Sequence, residues 1–208
     1  MQRGILSRNA TLVGTAFARM WSSIAISPQH GDGLMADGSF HQHGPLLQSG
    51  SYGGALMTDV LAFSTLAAGT SFAIPPAPLA VLAAYLVNGQ QYMLRGAGET
   101  AVWLIPPRGR EIVRVPDKGT FPWTEVATGI AALLTHPGVP MAAELAEFRA
   151  RLDGKAALPT QTRHYPESDY TVHHRPAFSN DIRTWSSRTY NAEARAFPGV
   201  RFSGAYVR

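Results

Sequence analysis

GDGLMADGSFHQHGPLLQSGSYG, residues 31–53, decides how the rest of this chain is read. It gathers Asp32, Asp37, His41, Gln42, His43 and Tyr52 into a run with six glycines and little to bury. Glycine at 31, 33, 38, 44, 50 and 53, with Pro45, marks turns or an irregular loop. Loops carried on a rigid scaffold are where polar chemistry collects. The apolar residues 55–66 that follow read as a helix able to anchor the loop.

Outward from this stretch, 208 residues allow one or two modest domains, and 45% hydrophobic content suffices for a core. Eighteen Lys and Arg against 14 Asp and Glu give a net charge of +4. That mild basic excess suits a polyanionic partner, whether nucleic acid, acidic glycan or membrane surface. The basic residues form no long run, so composition does not choose among them, and no basic helix with interleaved aromatics speaks for nucleic acid. The absence of cysteine excludes a disulfide framework and a thiolate metal site. Residues 1–23 lack an apolar block with a small-residue cleavage site and are not read as a signal peptide. No stretch reaches the roughly 18 apolar residues of a membrane span; the longest candidate, 77–87, is too short and follows Pro75 and Pro76.

Helical periodicity predicts helices over 5–26, 54–68, 79–94, 122–135 and 140–152, with Gly/Pro segments between them. Pro122 suits a first helical turn. After Pro159 the character changes. Residues 170–174 and 182–186 are rich in β-branched and aromatic side chains and read as strands, with Pro176 between them. Helices first and strands second predict an α+β chain: a helical part over 1–155, a linker near 154–162, and a β part over 156–208.

Several side chains invite chemistry, each with a plainer alternative. His41 and His43 are a pair of loop histidines or, with Asp32 and Asp37 near, a His-x-His metal site; the surrounding motif argues against metal. Tyr52 alone is a turn tyrosine. Arg110 and Arg114, spaced i and i+4, would share one helical face and could be a solvated pair. His173 and His174 read as structural residues of a strand. Trp21, Trp103, Trp123 and Trp185 could stack on sugar rings, although helical spacing puts Trp21 in the core.

The run Asp37-Gly38-Ser39-Phe40-His41-Gln42-His43, with Gly50-Ser51-Tyr52-Gly53 after it, resembles the signature of the family-eight polysaccharide lyases, which cleave hyaluronan, chondroitin or xanthan. The family pattern is Asp-Gly-Ser-Phe-x-Gln-His, a spacer, then Tyr-Thr-Gly-x-Tyr-Gly; Gln48 and Ser49 stand at its first Tyr and its Thr. The nine-residue step from His43 to Tyr52 is kept. Further on, Gly109-Arg110-Glu111-Ile112-Val113-Arg114 is similar to Gly-Arg-x-Ile-Ser-Arg, and residues 166–176 are similar to the family's opening β segment. Residues 186–193 resemble its Ser-Ser-Arg-x-x-Asn-Tyr-Glu.

The resemblance implies an α/α toroid followed by antiparallel β-sheets, of which this chain would hold the end of an incomplete toroid and the first strands. It also implies β-elimination on a uronic-acid glycan outside the cell, with no cofactor and no metal. The proton removed lies alpha to a carboxylate, so the site must offset that charge, supply a base and protonate the leaving oxygen. By resemblance, His43 engages the carboxylate, Tyr52 is base and then acid, Arg110 and Arg114 meet the charge and favour tyrosinate, Gln42 binds substrate, and Glu193 orients the site from the β side. Family members are several times longer. The asparagine that shares the carboxylate with His43 lies upstream of the residues matched here, and the pattern after Glu193 is almost wholly replaced. The expectation is a lyase fragment with weak or no activity of its own and a tendency to self-associate. The alternative is a non-catalytic glycan-binding module or degenerate lyase remnant.

Overall fold

The computed structural model describes residues 1–28, 31–113 and 123–190. Two helices open the chain, α1 (Gln2–Leu6) and α2 (Ala10–Ser22). The periodicity over 5–26 predicts one helix, but Arg8 takes a left-handed φ of 52° and Asn9 begins a new helix, its side chain accepting from Leu12 N at 3.1 Å. Asparagine is worth more as an N-cap than in a helix interior. Ser22 and Ser23 then turn their hydroxyls onto the carbonyls of Arg19 and Met20, and the helix stops there rather than at Pro28.

Helix α3 (Tyr52–Ala67) buries Met57, Val60, Leu61 and Ser64 on one face. It packs on α5 (Trp123–Leu134), which in turn packs on α6 (Ala142–Leu152). A Cβ on Gly129 would stand 2.5 Å from Leu61 Cβ, so this glycine sets how closely α3 and α5 approach. Helix α4 (Pro76–Ala84) does not continue to 94 as an α-helix. It widens into a π turn over Tyr85–Gly89 and tightens into a 3-10 turn over Gln90–Met93. The widened turn brings Gly89 against the signature loop: a Cβ there would lie 2.0 Å from Gly38 O. Arg151, 2% exposed, holds the end of this element by donating to the carbonyls of Gln91, Leu94 and Gly96, and burial lowers its pKa to about 10.

The strands form small antiparallel sheets, so the architecture is α+β. Residues 31–53 are not wholly irregular: β1 (Gly33–Leu34) pairs with β2 (Phe40–His41). A second hairpin joins β3 (Leu94–Arg95) to β4 (Val102–Trp103). The third sheet runs β5 (Thr162–Tyr165), β6 (Tyr170–Arg175) and β7 (Phe178–Arg183). Strand β5 falls partly in the segment read as a linker, and β7 lies earlier than the expected 182–186. Along β6, Tyr170, Val172 and His174 point inward, the period-two pattern of a half-buried strand.

This sheet lies on the helical part. Tyr165 OH donates to the carbonyls of Gly89 (3.0 Å) and Asn88 (3.3 Å), and Tyr165, Tyr170 and Val172 join the same apolar core as α3 to α6. Buried His174 donates Nε2–H to Tyr92 O at 2.7 Å and accepts from Ser179 Oγ at 2.8 Å, and burial holds its pKa below the usual histidine value. It is the structural strand histidine the sequence suggests. Trp21, Trp103 and Trp123 are core residues, Trp21 donating to Phe72 O; Trp185 is exposed. No helix among the described residues is long and apolar enough to cross a membrane.

Candidate active site

The signature loop has two sides. On the inner side, Asp37 Oδ1 accepts from Ser39 N (2.8 Å) and Ser39 Oγ (2.7 Å), while its Oδ2 accepts from Glu167 N (2.8 Å). Ser168 Oγ donates to Ser39 Oγ at 2.9 Å, and His41 Nε2 meets Ser168 Oγ at 2.9 Å. A carboxylate only accepts, so the chain of bonds runs one way, from His41 Nε2–H through Ser168 and Ser39 to Asp37. Ser39, His41 and Ser168 are at most 1% exposed. This buried network ties the loop to the β5–β6 turn and takes His41 out of any pairing with His43 as metal ligands. Among the described residues no group of three or more His, Cys, Asp or Glu is placed to hold a metal.

The outer side carries His43 and Tyr52. His43 is exposed, with a left-handed φ of 65°, and Tyr52 is half-buried at the first turn of α3. His43 Nε2 stands 3.5 Å from Tyr52 OH, and the rings meet edge to face with centroids 5.2 Å apart. Catalytic hydrogen bonds without substrate are commonly this long. Asp32 accepts from both neighbours of His43: Gln42 Nε2 at 2.7 Å and Gly44 N at 2.8 Å. Gln42, expected to bind substrate, thus has its amide nitrogen on Asp32. Gly53 is small because Tyr85 and Phe40 press on it; a Cβ would lie 2.3 Å from Tyr85 OH.

Two further segments converge on this rim. Gly50 N donates to Pro107 O at 2.7 Å, bringing the 3-10 segment Pro106–Val113, which contains Arg110, against the turn before Tyr52. The α-helical frame expected for Arg110 and Arg114 is not found up to Val113. Gly109 breaks the segment at φ 52° and ψ −132°, where a Cβ would stand 2.2 Å from Gln48 Oε1. Arg114 and Glu193 lie outside the described residues.

From the β side, Asp169 gathers the Ser186–Tyr190 loop, accepting from Ser186 Oγ (2.7 Å), Thr189 Oγ1 (2.9 Å) and Arg188 Nη2 (2.5 Å). Partial burial alone would raise the Asp169 pKa, but these hydrogen bonds and the Arg188 charge outweigh it and hold the carboxyl below its ordinary value. The loop ends with Tyr190 N donating to Pro45 O at 3.0 Å and its ring against Gly44, where a Cβ would meet the ring at 2.9 Å. An aromatic ring therefore stands beside His43.

A loop that keeps His43 and Tyr52 in register, with an arginine-bearing segment on one flank and a Ser-Ser-Arg loop on the other, has relatives. The pattern of the polysaccharide lyase family 8 N-terminal alpha-helical domain matches residues 1–148. The chain belongs to polysaccharide lyase family 8. Chondroitinase-AC of Pedobacter heparinus is 26% identical over 196 residues, covering 92% of this chain and 27% of that protein. A chondroitinase AC lyase solved in oligosaccharide complexes superposes with a TM-score of 0.71 at 26% identity, covering 93% of this chain and 28% of that one. Paenibacillus xanthan lyase shares the fold, with a TM-score of 0.70 at 18% identity over 92% of this chain and 21% of that one. The family 8 chain spans about a quarter of the length of the relatives it matches.

Sequence reasoning missed Asp32 as a bracket around His43, Ser168 as the anchor of His41, and Asp169 and Tyr190 as the β-side neighbours of this loop. Asp169 takes a left-handed φ of 46° between β5 and β6, and only the fold brings its partners to it.

Proposed function

We propose that this chain carries the catalytic loop of a lyase that cleaves an acidic, uronic-acid-containing polysaccharide by β-elimination. The observation that supports it most directly is His43 Nε2 at 3.5 Å from Tyr52 OH on an exposed rim, with the Arg110 segment docked beside it. In this reading His43, Arg110 and Arg114 offset the uronate charge, which makes the C5 proton removable. Tyr52, as phenolate, takes that proton. The C4–O4 bond breaks with its electron pair leaving on O4, a C4=C5 double bond forms, and the phenol returns the proton to O4. Glu193 orients the group from the β side, and Gln42 acts through its bond to Asp32. The helical residues 1–155 form part of an α/α toroid in this reading, with 156–208 opening the β domain, and an extracellular site of action goes with it. No cofactor enters the step.

The test is ultraviolet absorbance during incubation with hyaluronan, chondroitin and xanthan, with Tyr52→Phe as control. Elimination makes a conjugated double bond, and hydrolysis does not. The expected trace rises slowly on one glycan and falls by about 10²-fold or more in Tyr52→Phe, the scale of a lost general base. A flat trace on all three, with glycan binding retained, would leave a non-catalytic binding module. An equal rise in Tyr52→Phe would remove Tyr52 from the mechanism.

A further inference from the structure

We infer that Asp32 is the positioning residue that turns His43 out of the fold and toward Tyr52; only what His43 then does rests on the lyase reading. His41 sits in β2 with its ring buried, and its backbone bridges Leu47. In a strand, side chains two apart fall on the same face, so a continued β2 would carry His43 to the buried side with His41. The chain avoids this by a left-handed residue at 43, φ 65°, a region that residues with a Cβ seldom occupy unless neighbours enforce it. Asp32 supplies the enforcement. Its Oδ2 takes Gln42 Nε2 at 2.7 Å and its Oδ1 takes Gly44 N at 2.8 Å, so one carboxylate grips the residues on both sides of 43. His43 cannot rotate to an extended φ without breaking at least one of these bonds. The β1–β2 register, pairing Gly33 with His41, is what brings Asp32 opposite 42–44.

Geometry, rather than charge, is what Asp32 provides. An asparagine keeps an oxygen for Gly44 N–H, and its amide can donate to Gln42 once the Gln42 amide flips. Asp32→Asn therefore keeps the arrangement, and Asp32→Ala loses it.

The experiment is a proton NOE measurement on the whole chain with labelled histidine and tyrosine, reading the His43–Tyr52 ring contact. The Tyr165–Tyr170 contact, centroids 5.7 Å apart in the core, is the internal marker of folding. Asp32→Ala should lose the first cross-peak and keep the second; Asp32→Asn should keep both. A retained His43–Tyr52 peak in Asp32→Ala overturns the inference, as does its loss in Asp32→Asn. If Asp32→Ala loses both peaks, Gln42→Ala decides, since it removes one of the two bonds: loss of the ring contact alone supports the inference, and its retention overturns it. Where turnover is measurable, kcat in Asp32→Ala should drop by about 10²-fold, the scale of a misplaced group, with Asp32→Asn restoring most of it. The NOE needs no turnover. A chain that shows the predicted peaks and cleaves no glycan leaves Asp32 in its role, whatever becomes of the lyase reading.

Discussion

His41 and His43 are two residues apart in one loop, and the fold treats them as opposites. His41 is fully buried in a strand, its Nε2 committed to Ser168, and through Ser168 and Ser39 it reaches the Asp37 carboxylate. His43 is exposed, left-handed, and faced by Tyr52. Five residues of the signature hold the loop in place: Asp37 and Ser39 bind the β5–β6 turn, Gly38 lets Gly89 approach, Phe40 packs against Gly53, and His41 closes the network. Within the run 37–43, the last residue is the one that faces Tyr52. A motif read as a list of catalytic letters is therefore mostly a docking device, and mutations in it should separate into those that damage the fold and those that damage only chemistry.

The largest effect is expected at the backbone contact that seats the buried half. Gly89→Ala would put a Cβ 2.0 Å from Gly38 O, and backbone on both sides leaves nothing flexible to yield. A loss of about 3 kcal/mol or more is expected, at the upper end of single-residue effects, read as a fall in the urea midpoint or as insoluble expression. Unchanged stability would mean the loop is not seated on the π turn, and the contrast between the two halves would collapse.

Next comes His41→Ala. It leaves Ser168 without its donor in a site closed to water and opens a space the size of an imidazole. Removing one partner of a buried hydrogen bond costs about 1–3 kcal/mol before any cavity is counted. A drop of that size by denaturant titration is the expected outcome, and a shift within about 0.5 kcal/mol, the range of surface substitutions, would argue against the network.

How much of this could be read beforehand divides along the same line. Helices α3, α5 and α6 lie close to where apolar periodicity places them, because Pro122, Pro140 and Gly154 punctuate strong local patterns. Strand β5 was not legible: in Thr162-Arg163-His164-Tyr165 only Tyr165 is buried, and pairing with β6, not propensity, makes it a strand. The π turn at Tyr85–Gly89 was not legible either: its last residue lies against Gly38, distant in sequence, and no local pattern marks that contact. At the site, the adjacency of His43 and Tyr52 is legible because their nine-residue step lies in one short stretch. Asp32 stands in the same stretch, where the sequence offers it only a metal-ligand reading, because its place beside 42–44 depends on a hairpin register that no local pattern announces. The roles expected for Arg114 and Glu193 concern residues outside those described.

The smallest effect on stability, and the one that sharpens the contrast most, belongs to His43→Gly. Glycine enters the left-handed region at no steric cost, whereas histidine at φ 65° is held there by its neighbours. The gain from relieving that conformation is offset by the greater freedom of glycine in the unfolded chain. The two contributions are each under about 1 kcal/mol and opposed, so the denaturation midpoint should barely move. The ring that faces Tyr52 is nevertheless gone, and any eliminating activity should go with it. The same substitution at His41 should unfold the loop. If His43→Gly were instead as destabilising as His41→Gly, the left-handed turn would be a structural element in its own right, and the division of the signature into a buried anchor and an exposed tip would be wrong. If it were neutral and left activity intact, the division would stand while the part assigned to His43 passed to another residue, with the Pro106–Val113 segment docked at Gly50 first in line.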